Sequence, residues 1–208
     1  MSRTVPPIEA ESYRILRSTV DTSELAPRTR DVVERVVHAT ADLDYLTDLV
    51  CAESALAAGA EALAASAPLV VDAAMVGAGI TTRASLCLVG DLETAALAAA
   101  EGITRSAAGF RLAAERAADG AVWVVGVAPT ALFELLRLAE AGAVRPALVV
   151  GVPVGFVGAA ESKAALRESG LPSVSNLSAK GGAGVAAAAV NALLYGDPLA
   201  AAPNGENA

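Results

Sequence analysis

Five short apolar runs constrain the fold of this chain more than any other feature. They cover residues 68–72, 85–89, 121–126, 147–151 and 172–175. Each run is continuous rather than alternating, which is typical of strands buried on both faces. Helix-like segments lie between most of them, at residues 92–100, 105–118, 129–141 and 161–169, and a last helix at 185–194 follows the fifth run. This alternation predicts an α/β three-layer domain with a mainly parallel five-stranded sheet flanked by helices.

The residues before the first run predict three further helices. Residues 8–17 carry acids early and bases late, which matches the helix dipole. Residues 29–39 repeat pairs of valines at a four-residue spacing, and residues 45–65 are rich in alanine. We therefore interpret residues 1–208 as a single domain, with residues 198–208 as a disordered tail.

The apolar content, 54% with a mean hydropathy of +0.51, raises the question of a membrane protein. The longest uncharged runs, residues 146–160 and 181–196, are shorter than the roughly 18 to 20 residues that a membrane span needs, and both contain glycine. The N-terminus has no apolar signal-peptide region, so we expect a cytoplasmic protein without membrane contact. The net charge of −8 argues against nucleic acid as a partner, but it leaves a small anionic ligand open.

Glycines and polar residues follow the predicted strands, where ligands bind in folds of this kind. They occupy residues 77–83, 126–130, 151–163 and 180–184. Glycine lets backbone amides approach a ligand, although tight turns alone account for part of this pattern. The dinucleotide fingerprint lacks its third glycine after Gly79, and Lys180 precedes its glycines instead of following them. We therefore expect no nucleotide cofactor. Cys51 and Cys87 lack metal-ligand spacing, so we expect no metal site either.

His38 is the only histidine, and imidazole is the side chain that exchanges protons most readily near neutral pH. It lies one step off the apolar stripe of the predicted helix at 29–39. Glu34 lies four residues before it and Asp42 four residues after it, and either carboxylate would favour the charged imidazolium. The spacing alone is equally compatible with an acid/base catalyst and with a histidine at the edge of the core.

Eight short motifs extend over nearly the whole chain, at residues 8–13, 35–42, 79–80, 101–106, 128–133, 151–163, 180–182 and 191–193. Together, and in this order, they resemble the precorrin-8X methylmutase (precorrin isomerase) family of cobalamin biosynthesis. The stretch GVPVGFVGAAESK at residues 151–163 is the most specific of them. The resemblance implies a cofactor-independent intramolecular transferase. Such an enzyme moves a methyl group from C-11 to C-12 of precorrin-8X or cobalt-precorrin-8, giving hydrogenobyrinic or cobyrinic acid.

The resemblance also implies a homodimer with sites near the subunit interface, and hand-over of product to adjacent enzymes of the corrin pathway. The catalytic histidine of the family matches His38, and its substrate-contacting serine matches Ser12. A methyl shift between neighbouring ring carbons can be written as a [1,5]-sigmatropic rearrangement, which needs no metal or redox agent. One positioned acid that protonates a ring nitrogen is worth about 10² to 10⁴-fold in rate.

A tetrapyrrole substrate carries many carboxylates, so basic side chains, hydroxyls and glycine turns are its expected contacts. The candidates are Thr81, Arg83, Thr104, Arg105, Ser106, Thr130, Lys163, Lys180, Gly181 and Gly182 beside Ser12, with Arg14 and Arg17 as further cations. For each charged residue the alternative is a surface charge or a pairing at a helix end.

Three positions depart from the family pattern. Many members carry an acid at the position of Ala74, an asparagine at that of Val127 and often a serine at that of Ala183. Loss of such a polar group after a central strand could remove a substrate hydrogen bond. These departures leave an alternative open, a non-catalytic corrinoid-binding or product-handing protein on the same fold, while the intact His38 favours an enzyme.

Overall fold

The computed structural model describes residues 5–200, and its centre is a five-stranded sheet. The strands are β1 (Leu49–Cys51), β2 (Leu69–Val71), β3 (Val122–Val125), β4 (Leu148–Gly151) and β5 (Ser173–Asn176). Their order in the sheet is β1-β5-β4-β3-β2. Strands β2 to β5 run parallel, whereas β1 pairs antiparallel with β5. The prediction of a mainly parallel five-stranded sheet between helices is confirmed.

Ten helices surround the sheet within the described residues. They are α1 (Pro7–Thr19), α2 (Pro27–Thr40), α3 (Tyr45–Asp48), α4 (Glu53–Ala64), α5 (Ala74–Gly79), α6 (Leu92–Glu101), α7 (Arg105–Ala114), α8 (Pro129–Glu140), α9 (Ala159–Glu168) and α10 (Ala183–Tyr195). Proline begins α1, α2 and α8, where its missing N–H leaves no hydrogen bond unmade. None of these helices has both the length and the apolarity of a membrane span.

The core consists of two layers, one on each face of the sheet. Alternate residues of β3 show the division: Val122 and Val124 belong to the cluster formed with α2, α4 and α10, whereas Trp123 and Val125 belong to the cluster formed with α7, α8 and α9. All residues of β2, β3 and β4 are buried. Burial on both faces explains why these strands appear in the sequence as continuous apolar runs.

The strand predicted at residues 85–89 is wrong. Leu86 forms a single bridge with Val70, because the chain turns away at Leu88, whose carbonyl accepts the backbone N–H of Asp91 at the start of α6. The fifth strand is instead β1, within the helix predicted at residues 45–65. Pairing with β5 overrides the local helix propensity there, since the Asp48 carboxylate accepts the backbone N–H groups of Leu177 and Ser178.

The loops after β4 and β5 meet beyond the carboxyl ends of the strands. Gly182 N donates to Val152 O at 2.9 Å, and Gly155 N donates to Ala179 O at 3.1 Å. Gly181 has φ +146°, and a Cβ atom there would collide with the carbonyl oxygen of Val152. Only glycine therefore permits this close approach. At the other end of the chain, residues 198–200 form a turn, and residues 201–208 of the predicted tail lie outside the described residues.

Candidate active site

His38 lies in the last turn of α2 and contacts Ser12 of α1. The distance from Ser12 Oγ to His38 Nδ1 is 2.8 Å. A hydroxyl both donates and accepts, so Ser12 can donate to an unprotonated Nδ1 or accept from Nδ1–H. The contact fixes the ring in either protonation state and directs Nε2 to the opposite side.

Two aromatic rings and one guanidinium hold the histidine in place. Tyr13, the neighbour of Ser12 on α1, stacks on the imidazole with 4.9 Å between ring centroids and 25° between planes. Arg35 precedes His38 by three residues, so both side chains leave α2 on the same face. Its Cζ atom lies 5.8 Å from the centroid of the Tyr13 ring and 5.6 Å from that of Tyr195. These are cation–π distances, and they restrict the guanidinium as well as the two rings.

Both carboxylates that the sequence places four residues from His38 bond to other cations. Glu34 is fully buried and receives a bidentate contact from Arg17, with Nη2 to Oε2 at 2.7 Å. Asp42 accepts from Lys180 Nζ at 2.6 Å, and this contact lowers the pKa of the Asp42 carboxyl. Ser12 and Tyr13 contact the imidazole directly, and the support of the imidazolium by Glu34 or Asp42 stays a prediction.

A cavity of about 230 Å³ opens beside the imidazole. Arg35 and His38 line it from α2, and Gly184 and Asn191 line it from α10. Gly79 of α5 also lines it, and a Cβ atom there would lie 2.6 Å from the Cβ of Ala187. This volume is below the roughly 300 to 1,000 Å³ of typical small-molecule sites. One chain therefore encloses only part of a tetrapyrrole-sized ligand.

Thr81 joins the His38 cluster from the loop after α5. Its Oγ1 hydrogen-bonds to the hydroxyl of Tyr195, whose ring contacts Arg35. Ser12, His38 and Thr81 are thus three predicted site residues that the structure brings to one place.

Thr104 and Thr130 form a second group, on the other helical layer. Their hydroxyl oxygens are 2.7 Å apart, and Thr104 also caps α7 by accepting from Ala107 N at 3.2 Å. Arg105 and Ser106 follow in the first turn of α7, and Arg105 is exposed, with no ion pair to any residue in the range 5–200. The N-termini of α7 and α8 meet here, and helix N-termini attract anionic groups.

Lys163 lies under the loop after β5 and has no exposed surface. Its ammonium group donates to Asn176 Oδ1 at 2.9 Å, Ser178 O at 2.5 Å and Lys180 O at 2.7 Å. Burial lowers the pKa of Lys163 to about 8. Lys180 itself points to Asp42 and Asp44, at 2.6 Å from each carboxylate. Lys163 therefore holds the backbone of the segment before Gly181 and Gly182 from the protein interior, and its ammonium group is not exposed at the surface.

The structure places Arg83 away from the other candidates. Its guanidinium donates to Leu63 O, Ser66 Oγ and Ala67 O, all of which precede β2. That is the amino end of the parallel strands, opposite the His38 cavity. Of the further cations, Arg14 pairs with Glu11 on the surface, and Arg17 bonds to buried Glu34.

Four residues of the His38 cluster were not among the predicted site residues: Tyr13, Arg35, Asn191 and Tyr195. Tyr13, Arg35 and Asn191 lie inside the family motifs, and the first two are next to or one helical turn from a chosen residue. That adjacency was the available signal for Tyr13 and Arg35. Within residues 5–200, no group of three or more His, Cys, Asp or Glu side chains is arranged to hold a metal ion.

Asp72 explains how the fold accommodates Val127, one of the three departures. Its buried carboxylate accepts the backbone N–H groups of Gly126, Val127 and Ala128 at 3.0, 2.8 and 2.7 Å. Burial raises the pKa of Asp72 despite these contacts. The turn that begins α8 is therefore held through its backbone, and the side chain at position 127 packs against the core.

Fold and site together define an α/β protein with a cavity beyond the carboxyl ends of its parallel strands. A protein family described as Precorrin-8X methylmutase matches residues 7–196 of the chain. Cobalt-precorrin-8 methylmutase of Methanocaldococcus jannaschii is 43% identical over 83% of this chain and 81% of its own length. Precorrin-8X methylmutase of a Sinorhizobium species is 42% identical, over 89% of this chain and 92% of its own length.

A solved structure agrees with these sequence matches. The crystal structure of precorrin-8X methylmutase from Thermus thermophilus superposes with a TM-score of 0.82 and 36% identity, covering 90% of this chain and 93% of that one. The chain belongs to the precorrin-8X methylmutase family. It is accordingly an intramolecular methyl-transferring isomerase of cobalamin biosynthesis.

Proposed function

We propose that the chain moves a methyl group from C-11 to C-12 of precorrin-8X or cobalt-precorrin-8, with His38 as the general acid. The observation that carries this proposal is the Ser12–His38 contact at the wall of the cavity. One relative named above is a cobalt-precorrin-8 methylmutase and another is a precorrin-8X methylmutase, so an activity assay should include both substrates.

The proposed chemistry needs one proton, which His38 transfers to the substrate and takes back after the methyl shift. Nε2 of His38 protonates a ring nitrogen, which polarises the conjugated system and lowers the barrier to methyl migration. The bond from the methyl group to C-11 breaks as the bond to C-12 forms, so substrate and product are isomers and no net proton is consumed. Ser12 accepts a hydrogen bond from Nδ1–H before and after the transfer, because loss of the Nε2 proton leaves the proton on Nδ1 in place.

We propose that groups outside the cavity, at the carboxyl end of the sheet, bind rim carboxylates of the substrate. Arg105 is exposed and unpaired among the described side chains, next to Ser106 and the Thr104–Thr130 pair at two helix N-termini. The backbone of Gly181 and Gly182 and the partly exposed Lys180 face the same end of the sheet. Lys163 supports that segment from below, and Arg83 stabilises the loop before β2.

We also propose that two copies form a homodimer that completes the site. The cavity of one chain is too small for a tetrapyrrole, and the loop after β4 exposes Phe156 completely and Val157 to 89%. Val154 and Phe133 extend this apolar surface. Light scattering should give twice the chain mass, and Phe156→Ser together with Val157→Ser should shift the protein to monomers with reduced activity. Product hand-over and a cytoplasmic location stay predictions from the resemblance and the sequence.

The alternative is a corrinoid-binding protein without turnover, since Ala74 and Val127 lack the polar groups of many relatives. Purified protein mixed with the precorrin-8 substrate separates the two, because isomerisation changes the absorption spectrum of the chromophore. Tight binding without that spectral change would support the binding protein and contradict the isomerase.

The first prediction concerns His38→Ala, which should lower kcat by about 10² to 10⁴-fold while corrinoid binding and the melting temperature stay close to wild type. Ser12→Ala should lower kcat by about tenfold, the worth of one hydrogen bond to the ring. Thr40→Ala is the matched control on the same helical turn, since its hydroxyl bonds to carbonyls of its own helix, and it should leave kcat unchanged. Near wild-type turnover by His38→Ala would mean that another group delivers the proton.

A further inference from the structure

Two side chains that line the His38 cavity contain buried polar atoms without a hydrogen-bond partner. They are Nε and Nη2 of Arg35 and Oδ1 of Asn191. The Arg35 side chain is only 9% exposed, so water does not reach these nitrogens from outside. Buried N–H groups of a charged side chain are costly to leave unmatched, and folded proteins rarely retain them without a role.

The unmatched atoms of Arg35 have the geometry of a carboxylate receptor. Nε and Nη2 lie on the same edge of the guanidinium, which presents two parallel N–H groups. Arg17 uses this same edge in the same chain, where Nε and Nη2 hold the two oxygens of Glu34 at 2.7 to 3.1 Å. The remaining nitrogen of Arg35, Nη1, lies 3.5 Å from Glu9 Oε1.

The surroundings of this edge favour an anion from outside the chain. Among residues 5–200, no carboxylate is bonded to Nε or Nη2 of Arg35. Gly184 brings the first turn of α10, a helix of 13 residues, to the same cavity, and its N-terminal dipole favours negative charge. Asn191 Nδ2 donates to Gly79 O at 2.8 Å, which orients the amide and leaves Oδ1 as an acceptor for a water or an acidic proton of the ligand.

We propose that Arg35 binds one peripheral carboxylate of the corrin substrate through Nε and Nη2. This inference rests on the proposed function and adds an anchor to it. Arg35 is one helical turn from His38, so the anchored carboxylate determines which ring nitrogen faces the imidazole. Tyr195 is partly exposed at the end of α10, and entry of the carboxylate requires its ring to move aside, while Tyr13 stays against the guanidinium.

The experiment uses the full chain in the His38→Ala background, where binding is measured without turnover. Hydrogenobyrinic acid is titrated by its change in absorbance, first against His38→Ala and then against His38→Ala with Arg35→Lys. Lysine keeps the charge beside Glu9 but loses the two-pronged edge, so Kd should rise by about ten- to a hundredfold. Glu9→Gln is the matched control: if Arg35 only served Glu9, this variant would weaken binding equally, whereas we expect Kd within about threefold of the parent.

A second variant tests the anchor if Arg35→Lys does not fold. Asn191→Asp puts a carboxylate into the same cavity, where it competes for the Arg35 edge, and it should also weaken binding of the corrin acid by at least about tenfold. Unchanged Kd in both variants, with the parent still binding, would overturn the role of Arg35 and leave the isomerase intact. Failure of the wild-type chain to bind or convert the corrin would instead overturn the proposed function itself.

Discussion

Two buried cations in this molecule have opposite surroundings. Lys163 donates all three of its ammonium protons to oxygens of the chain, whereas Arg35 leaves the Nε–Nη2 edge of its guanidinium without a partner. Both are at least nine-tenths buried, so burial alone does not distinguish them. What distinguishes them is whether the fold itself satisfies the charge. The complete network belongs to the scaffold, and the incomplete one lies at the proposed substrate site.

The neighbours of each cation follow the same division. Around Lys163, Asp48 accepts from Asn176 Nδ2, Leu177 N and Ser178 N at 2.8 to 3.0 Å. Around Arg35, the buried hydroxyl of Tyr13 has no partner, nor has Asn191 Oδ1. Satisfied polar groups are therefore concentrated under the loop after β5, and unsatisfied ones lie between α1, α2 and α10, where we propose that the substrate binds.

The largest effect on stability is expected from Lys163→Met. It leaves Asn176 Oδ1 without a donor, and the carbonyls of Ser178 and Lys180 keep only Asn176 Nδ2 as a donor. The free energy of unfolding should fall by about 3 kcal/mol. Urea denaturation at pH 7 measures it. Lys180→Met is the control, because Lys180 is 40% exposed and water screens its ion pairs, so the loss should be much smaller than for Lys163→Met. Equal losses in the two variants would contradict the conclusion that the hydrogen bonds of Lys163 stabilise the fold.

A smaller effect of opposite sign is expected from Asp31→Asn on α2. Burial and the charge of Asp197 raise the pKa of Asp31 from 3.8 to about 6. The folded state therefore binds this proton more tightly than the unfolded chain, and the stabilisation is complete below pH 3.8 and is lost as the pH rises through 6. At pH 7 the variant should be more stable by about 1 kcal/mol, after allowance for solvent screening of a partly exposed group.

Denaturation at pH 4, 5, 6 and 7 checks the sign of that prediction. The advantage of Asp31→Asn should grow between pH 4 and 6 and then level off. Asp21→Asn is the control, since Asp21 is exposed and a backbone contact with Ser23 lowers its pKa, so it should give no such gain. An advantage that shrinks with rising pH would contradict the assignment.

The smallest expected effect on stability concerns the hydroxyl group of Tyr13. Tyr13→Phe removes a buried hydroxyl without a partner, so stability should rise by roughly 0.5 kcal/mol. The ring that stacks on His38 is retained, so kcat should not change. Tyr45→Phe is the control, because the backbone amide of Gly181 acts on the Tyr45 hydroxyl and opposes the rise of its pKa, so removal of this hydroxyl should not raise stability. Thermal melts of both variants measure the difference.

The fold was predictable where burial is visible in the local sequence. Strands β2, β3 and β4 are covered on both faces, so their residues are apolar without interruption. Strand β1 was missed because its conformation depends on pairing with residues more than a hundred positions away. Residues 85–89 are equally apolar but form only one bridge, since the turn into α6 begins at Leu88.

The candidate site was predictable in part. Motif resemblance selected Ser12, His38 and the Thr104–Thr130 pair, and the structure places the members of each pair in contact. Spacing could not separate the buried Lys163 from a surface lysine, or assign Arg83 to the opposite end of the strands. It also could not reveal Arg35, because an unsatisfied hydrogen-bonding edge is a property of three-dimensional surroundings rather than of residue type.

The close approach at Gly181 makes the loops after β4 and β5 a single mechanical unit. Hydrogen bonds from Gly182 to Val152 and from Gly155 to Ala179 join the two loops, and no side chain separates them at Gly181. The exposed Phe156 lies in one loop, and the other leads directly into α10, which lines the cavity. In the homodimer that we propose, contact at Phe156 would therefore act on the first turn of α10, and assembly would be coupled to the shape of the cavity.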